Sequence, residues 1–315
     1  MKHRRLAIAV PLAAILAFAA APGASADPPA VGRDGTGIQS VTAITEVYAF
    51  GQKVAAVAIE YSAGVNPRTL DLDTFTVSDT IYNFRFNPIS DLPTLVERTV
   101  TAVYTNDEAA INPDSASDPG RFVIVELDET DPGGNTVIVS KCPTFLCSVK
   151  VNPDLPTQVV QNENVYAQPG NGVGWGQLLS AASSDIHPLS GATINVLVDD
   201  FVHDTYVLNG TVLPYAYWVP ADYDPSSEYP VVVILPGHGM GWDGDNEGVQ
   251  IAADIPATAW LQAEWTGTDE DVIVLAPQNQ RVGVPAEAEI MVALLEEFMG
   301  TYSIDPDRVY ASTVS

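Results

Sequence analysis

The sequence predicts two structural units, an all-β immunoglobulin-like sandwich followed by a doubly wound α/β sheet. Over residues 38–150, short β-prone runs alternate with turn residues, and no helical period is present. After residue 191 the pattern changes to strand, helix, strand, helix and strand, the order that builds a sheet with helices on both faces. Residues 151–190 are rich in Pro, Gly, Asn and Gln, which indicates a connecting segment on the surface.

The first unit is predicted from runs of β-prone residues that end at turn dipeptides. Residues 54–61 read VAAVAIEY, and Gly51-Gln52 and Asn66-Pro67 stand on either side of this run. The unit lacks the Cys, Trp and Cys spacing of antibody domains, so it is not of the antibody type. The predicted strands are residues 41–50, 54–61, 75–77, 99–104, 121–127 and 136–139.

The second unit is predicted from one continuous apolar run and the elements around it. Residues 229–235 read YPVVVIL, the composition of a parallel strand that is buried on both faces. Asn209-Gly210 predicts a hairpin between two earlier strands, and Pro285 suits the first turn of an amphipathic helix. The other predicted strands are residues 194–198, 205–208, 213–219, 272–276 and 309–311. The predicted helices are residues 248–265, with an internal break near Pro256, and residues 285–299.

Residues 1–26 have the three parts of a secretory signal peptide. Basic residues precede an apolar run, and Ala24-Ser25-Ala26 forms a small-residue cleavage site. The apolar run falls short of the about 20 residues that a membrane helix needs, so cleavage is predicted rather than anchoring. We expect a secreted protein whose mature chain begins near Asp27, with residues 27–37 as a linker and no membrane contact after cleavage.

The mature chain is strongly acidic. Cleavage changes the net charge from −27 to −30, because residues 1–26 hold three of the 13 Lys and Arg residues and none of the 40 Asp and Glu residues. Such a charge favours solubility and repels nucleic acid and anionic lipid, so neither is expected as a partner.

Cys142 and Cys147 are the only cysteines. In an exported chain they predict a local disulfide, since a metal site would need further ligands nearby.

A glycine-rich loop containing Gly237, His238 and Gly239 follows the apolar strand. Glycines let backbone N–H groups approach a ligand closely, and such donors stabilise the oxygen anion that forms during acyl transfer. Phosphate-binding loops and plain tight turns show the same pattern. We interpret the loop as an oxyanion loop because two strand-and-helix units and a serine follow it. His238 is expected to contribute its backbone N–H rather than its ring.

Ser315 follows the last predicted strand, after the turn residues Asp305-Pro306-Asp307. A serine on the sharp turn after such a strand is the nucleophile of a hydrolase, whereas a serine at a strand end is otherwise a cap or a solvent contact. Its place downstream of the glycine loop favours the nucleophile. His187 and His203 are interpreted as surface or structural residues. The acids at residues 243–247 lack the further ligands of a calcium loop and are expected to begin a helix, so no metal is predicted.

Five segments of the second unit follow one another in a characteristic order: YAYWVPADY at residues 215–223, YPVVVILPGHG at 229–239, DN at 245–246, LAPQ at 275–278 and IDPDRVYASTVS at 304–315. In that order they resemble the secreted esterases of the prolyl-oligopeptidase and poly(3-hydroxybutyrate)-depolymerase-like group of α/β-hydrolases. Earlier segments, ITEVYAFGQKVAAVAIEY, AVYTND and FVIVELD, resemble the immunoglobulin-like domain that precedes the hydrolase domain in one branch of these esterases. VDDF at residues 198–201 matches the same branch.

The resemblance implies that Ser315 is the nucleophile and that residues 237–239 form the oxyanion loop. Two positions depart from the family pattern: Pro236 stands where the family usually has histidine, and Thr313 replaces the first glycine of G-x-S-x-G. Such a domain runs to about 200 residues or more, while about 125 lie between residues 191 and 315. We therefore expect a partial α/β-hydrolase, truncated at its nucleophile, with the acid and the histidine further along and no activity as the chain given.

The predicted function is that of a secreted carboxylic ester hydrolase that forms an acyl-enzyme on Ser315 and uses no cofactor. Its expected partner is an ester substrate, polymeric esters included. One alternative is a serine peptidase of the prolyl-oligopeptidase type. Another is a non-catalytic exported fragment whose sandwich binds a polymer or a protein partner.

Overall fold

The computed structural model describes residues 37–81, 94–141, 148–169, 176–237, 239–267, 270–279 and 285–313. Strands outnumber helices, and they form two main units. The predicted signal peptide, Cys142, Cys147, His238 and Ser315 lie outside the described residues. Within those residues, no helix is long and apolar enough to cross a bilayer.

The first unit is built almost entirely from strands, with one 3-10 turn at Pro67–Thr69. Its described strands are β1 (Ile38–Tyr48), β2 (Gly51–Tyr61), β3 (Phe75–Ile81), β4 (Thr94–Glu97), β5 (Val100–Asn106), β6 (Phe122–Leu127), β7 (Ile138–Lys141), β8 (Ser148–Val151), β9 (Gln158–Gln161), β10 (Val165–Tyr166), β11 (Leu178–Ser180), β12 (Ile186–Pro188) and β13 (Ile194–Asn195).

Two sheets of the first unit share one hydrophobic core, as predicted for a sandwich. The first sheet has the strand order β13-β1-β2-β6-β5, and the second has the order β12-β9-β3-β4. The almost fully buried residues of this core come from both sheets and include Val57, Ile59, Val125, Phe75, Val77 and Val159. β2 is buried on its opposite face as well, where Ala56 and Ala58 pack near Tyr104. Its sequence therefore lacks a strict apolar and polar alternation.

The structure corrects the prediction that residues 151–190 form only a surface connection. β9 lies inside the second sheet, where it pairs with β3 on one side and with β12 on the other. β13, the start of the strand predicted at residues 194–198, also joins the first unit, because it pairs in parallel with β1. Both strands are short, so their sequences show little periodicity and their burial depends on distant neighbours.

The second unit combines strands and helices in alternation. Its described elements are β14 (Val202–Leu208), β15 (Thr211–Trp218), β16 (Tyr229–Leu235), α1 (Val249–Ala252), a 3-10 turn (Thr258–Leu261), α2 (Ala263–Thr266), β17 (Ile273–Pro277), α3 (Pro285–Thr301) and β18 (Ile304–Thr313). Asn209 and Gly210 join β14 to β15 with φ angles of 51° and 82°. Two positive φ angles are typical of the predicted hairpin turn.

The sheet of the second unit has the order β14-β15-β17-β16-β18. β17 and β18 are both parallel to β16 and lie on either side of it. α3 packs on one face through Ile290, Leu294 and Phe298. Ile251 and Ala257 pack on the other face. Layers on both faces of a sheet with parallel central strands agree with the doubly wound α/β sheet that the sequence predicts.

The helix predicted at residues 248–265 is interrupted near Pro256, as expected, but it is present as three short pieces rather than two helical segments. α1, the 3-10 turn and α2 replace it, and Pro256 lies between the first two pieces. Proline lacks the N–H that would continue a helix and its ring clashes with the preceding turn, which explains the interruption. The helix predicted at residues 285–299 is confirmed as α3, which runs for 17 residues.

Candidate active site at the carboxyl ends of the parallel strands

The carboxyl ends of β16 and β18 lie side by side. Leu235 of β16 is opposite Thr313 of β18 in the parallel pairing. The predicted oxyanion loop begins two residues after Leu235, and Ser315 stands two residues after Thr313. In open α/β sheets, ligands bind outside the carboxyl ends of the strands, at the point where the strand order reverses. The chain segments that lead to both parts of the predicted site therefore leave the sheet at neighbouring positions.

The described residues of the glycine loop form a tight turn. The Met240 N–H donates to the Gly237 carbonyl at 3.1 Å, and Gly239 has a φ of 79°. This conformation requires glycine, because a Cβ atom makes positive φ unfavourable. Among the described residues the Gly239 N–H has no hydrogen-bond partner. It can therefore donate to a ligand oxygen, as an oxyanion donor must.

Gln278, just after β17, holds the chain behind this turn. Its side chain is buried, and Nε2 donates to the carbonyls of Met240 and Asn246, each at 2.9 Å. Its Oε1 accepts the Gly248 N–H at 2.8 Å. Both N–H groups and the oxygen of the amide are thus used. Sequence motifs missed this role because the partners lie 38, 32 and 30 residues away along the chain.

Asn246 is a second buried amide behind the loop. Its Nδ2 donates to the Gly241 carbonyl at 2.9 Å and to the Lys150 carbonyl at 3.2 Å. Its Oδ1 accepts the Asp243 N–H at 2.9 Å. Asn246 and Gln278 both belong to segments that carry the family resemblance. Nothing in either segment by itself indicates contact with the glycine loop.

The acids before α1 do not begin the helix in the way that the sequence predicts. The N-cap of α1 is Gly248, with a φ of 76° and no side-chain capping bond. Asp243 instead accepts the Asp245 N–H at 3.1 Å, which is a bond within the loop. Across the described ranges, no group of three or more His, Cys, Asp and Glu residues is arranged to hold a metal ion. That the reaction uses no metal and no cofactor remains a prediction from the sequence.

His187 and His203 lie away from the ends of β16 and β18. His187 is in β12, a strand of the first unit. His203 is in β14, at the opposite edge of the five-stranded sheet from β18. Four strand spacings of about 4.8 Å separate those edges. Both histidines therefore belong to strands away from the end of β18, although the His203 ring lies beside Gly248.

A cavity of about 490 Å³ opens on the sheet face beside β18. Trp260 and Trp265 form much of its apolar wall, and Ser312 of β18 lines it as well. Ser312 is three residues before Ser315 in the sequence. The cavity lies against the face of the sheet, whereas the glycine loop lies beyond its carboxyl edge.

Comparison with known proteins identifies relatives for both units. Residues 40–174 match the esterase Ig-like N-terminal domain. A thermostable esterase of known structure is similar to this chain at 26% sequence identity and a TM-score of 0.71, covering 88% of this chain and 70% of that chain. These findings support an esterase with an immunoglobulin-like domain. The matched residues also extend beyond residue 150, in agreement with the position of β9 inside the sandwich.

A ferulic acid esterase from the anaerobic fungus Anaeromyces mucronatus, solved in the absence of substrate, is more distant. It is 16% identical, with a TM-score of 0.24, and the alignment covers 36% of this chain and 49% of that chain. A likeness at this TM-score carries no argument about fold or activity. A search of the curated proteins found no match.

Proposed function

We propose that the protein is a secreted serine esterase of the α/β-hydrolase superfamily, in which Ser315 attacks a carboxylic ester. The observation that carries this proposal is the pairing of Leu235 with Thr313, which directs the glycine loop and the Ser315 segment to one edge of the sheet. The likeness to a thermostable esterase favours ester substrates over the peptide substrates of the prolyl-oligopeptidase alternative.

The proposed reaction consists of two acyl transfers. The Ser315 Oγ bonds to the ester carbonyl carbon while a base takes its proton, and the negative charge moves to the carbonyl oxygen. Backbone N–H groups of the glycine loop, that of Gly239 among them, donate to this oxygen. The tetrahedral intermediate then releases the alcohol, which takes up the proton. Water repeats the sequence on the acyl-enzyme, releasing the acid and restoring the serine.

We assign neither His187 nor His203 as the base, because both lie on strands away from the ends of β16 and β18. In α/β-hydrolases the order along the chain is serine, then the acid, then the histidine. We therefore propose that the base and the acid that orients it follow Ser315. No cofactor takes part in this mechanism.

The topology of the second unit supports its assignment as part of an α/β-hydrolase sheet. The glycine loop follows β16, and two strand-and-helix units later β18 returns to the free side of β16. An α/β-hydrolase needs this return, since its nucleophile and its loop donor must face one substrate carbonyl. Thr313 is opposite Leu235 in the pairing of β18 with β16. Its backbone therefore fits the ladder even though it replaces the first glycine of the family motif.

We also propose that the protein is exported and that Cys142 and Cys147 form a disulfide. Support for the disulfide comes from the hairpin of β7 and β8, whose pair Lys141 and Ser148 directly flanks the two cysteines in the sequence. Thiol titration of the exported protein in denaturant is expected to detect no free thiol. Two free thiols per chain would contradict this part of the proposal.

Turnover of a short-chain p-nitrophenyl ester tests the role of Ser315 in the complete gene product. Ser315→Ala is expected to lower kcat by a factor of about 10³ or more, because the nucleophile is lost. Ser312→Ala is the matched control: Ser312 lies in β18, opposite Ile234 and three residues before Ser315 in the sequence, and its loss should leave kcat nearly unchanged. Equal kcat for both variants would contradict the proposal. Faster turnover of a prolyl peptide than of the ester would favour the peptidase.

A further inference from the structure

The first unit reaches the glycine loop through β8. The Lys150 backbone N–H donates to the Gly239 carbonyl at 2.7 Å, and the Lys150 carbonyl accepts Nδ2 of Asn246 at 3.2 Å. β8 pairs with β7 on its other side, with Lys150 opposite Val139. The edge of β8 that faces away from β7 therefore forms hydrogen bonds with the second unit.

Three successive carbonyl groups behind the turn are held by donors from three different places. The Gly239 carbonyl accepts the Lys150 N–H, the Met240 carbonyl accepts Gln278 Nε2 at 2.9 Å, and the Gly241 carbonyl accepts Asn246 Nδ2 at 2.9 Å. Because a peptide unit is planar, fixing these carbonyls also fixes the N–H groups of Met240, Gly241 and Trp242. The Gly239 N–H belongs to the preceding peptide, so these bonds act on it through the Gly239 backbone that they hold. None of these peptide planes can rotate without breaking a hydrogen bond.

The energy of these contacts favours a single loop conformation. Asn246 and Gln278 are 5% and 1% exposed. Each uses both N–H groups of its amide and its oxygen in the bonds described above. Rotating one loop peptide would leave a donor and an acceptor unpaired, which is unfavourable away from water. The carboxamides are neutral, so this restraint does not depend on pH.

We propose that Asn246 and Gln278, together with the Lys150 backbone, are positioning residues that hold the glycine loop ready to bind the oxyanion. Donors that are fixed in advance stabilise a transition state without a cost of reorganisation at the moment of reaction. The immunoglobulin-like unit then takes part in catalysis, because β8 supplies one of the restraints. The catalytic part of this inference rests on the proposed esterase function, whereas the rigidity of the loop can be tested without it.

Two substitutions of Lys150 separate its backbone from its side chain. Lys150→Pro removes the N–H that reaches Gly239, and proline is tolerated where an N–H faces away from the strand ladder. Lys150→Ala keeps that N–H. Both variants lose the bond from Nζ to the Ala253 carbonyl, at 3.3 Å. We expect exchange of the Met240 N–H, which is bonded to the Gly237 carbonyl, to accelerate about tenfold or more in Lys150→Pro and to stay near the wild-type rate in Lys150→Ala.

A second pair of variants tests the side-chain restraint and covers the case in which Lys150→Pro does not fold. Asn246→Asp removes both donors and keeps an oxygen for the Asp243 N–H. Asn162→Asp is the matched control, since its Nδ2 donates to the Asp73 carbonyl and the Thr76 hydroxyl, each at 3.0 Å, in the first unit. We expect faster exchange of the loop only in Asn246→Asp. Its kcat should fall about tenfold, with KM changed by less than about twofold.

The outcomes separate the inference from the proposed function. Unchanged loop exchange in both Lys150→Pro and Asn246→Asp would overturn the restraint. Faster exchange with unchanged kcat would overturn the positioning role in catalysis. Faster exchange in a protein whose wild type hydrolyses no ester would support the restraint and contradict the proposed esterase.

Discussion

At the scale of single residues, Gly239 is the position in the candidate site where the backbone conformation most restricts the residue type. Its φ of 79° is unfavourable for any residue with a Cβ atom, at a cost of about 1 kcal/mol. Alanine at this position must accept that strain or shift the turn away from the oxyanion position. We expect Gly239→Ala to lower kcat for a short-chain ester about tenfold or more, measured at saturating substrate.

Gly210→Ala is the control for this prediction. Gly210 has a similar φ of 82°, lies in the hairpin between β14 and β15, and has open space where a Cβ atom would be. Its substitution should lower the free energy of unfolding by a similar amount and leave kcat unchanged. A similar loss of kcat in both variants would show that the Gly239 effect comes from general destabilisation.

The same residues show how far the sequence predicts the site. The glycine loop is predicted because a cluster of glycines directly after a buried strand is a local pattern. Lys150, Asn246 and Gln278 are not predicted as part of the site. Asn246 contacts Lys150 across 96 residues and Gln278 across 32. Contacts at such separations exist only after folding, and no single motif contains both partners.

At the scale of elements, the position of β9 inside the second sheet bears on the stability of the sandwich. Val159 at its centre is fully buried in the core that the two sheets share. We expect Val159→Ala to lower the free energy of unfolding by about 2 kcal/mol, because it leaves a cavity in that core. Urea denaturation followed by fluorescence measures this change.

Val207→Ala is the matched control for the β9 prediction. Val207 lies in β14 and its side chain is 58% exposed. Its substitution should change the free energy of unfolding by less than about 0.5 kcal/mol. Equal effects at the two positions would mean that residues 151–190 form a surface connection after all.

Elements with strong local patterns were the predictable ones. α3 and β16 follow from a long amphipathic pattern and from the run YPVVVIL. The turn predicted at Asp305-Pro306-Asp307 is an irregularity inside β18, where the register shifts and the Asp307 N–H donates to Asp305 Oδ1 at 2.9 Å. The short strand β9 was missed, and β13 was predicted as a strand but assigned to the second unit, because pairing partners rather than their own sequences determine where these strands lie.

At the scale of the whole molecule, the acidic charge has a measurable consequence. A formal charge of −27 on 315 residues destabilises the compact state through self-repulsion. Salt shortens the Debye length to about 10 Å at 0.1 M and about 3 Å at 1 M, which weakens this repulsion. We expect the midpoint of thermal unfolding to rise by several degrees between low salt and about 0.5 M NaCl. KCl should give the same rise, and an unchanged or lower midpoint would contradict the prediction.

The two units are connected at the site as well as through the chain. β8 of the first unit, which forms a two-stranded sheet with β7, hydrogen-bonds to the glycine loop, and β13 joins the first sheet just before the second unit begins. The sequence predicts the two units and their order along the chain. It could not predict this contact, because docking of one unit on the other depends on surfaces that no periodic pattern describes.

The central claim is that Ser315 is the nucleophile of an esterase site formed at the ends of β16 and β18. Its most direct test is to treat the complete gene product with a fluorophosphonate and to locate the adduct by peptide mass spectrometry. The prediction is a single adduct on the peptide that contains Ser315, absent from Ser315→Ala and retained in Ser312→Ala. An adduct on a different serine, or an ester-hydrolysing protein that stays unlabelled, would contradict the claim.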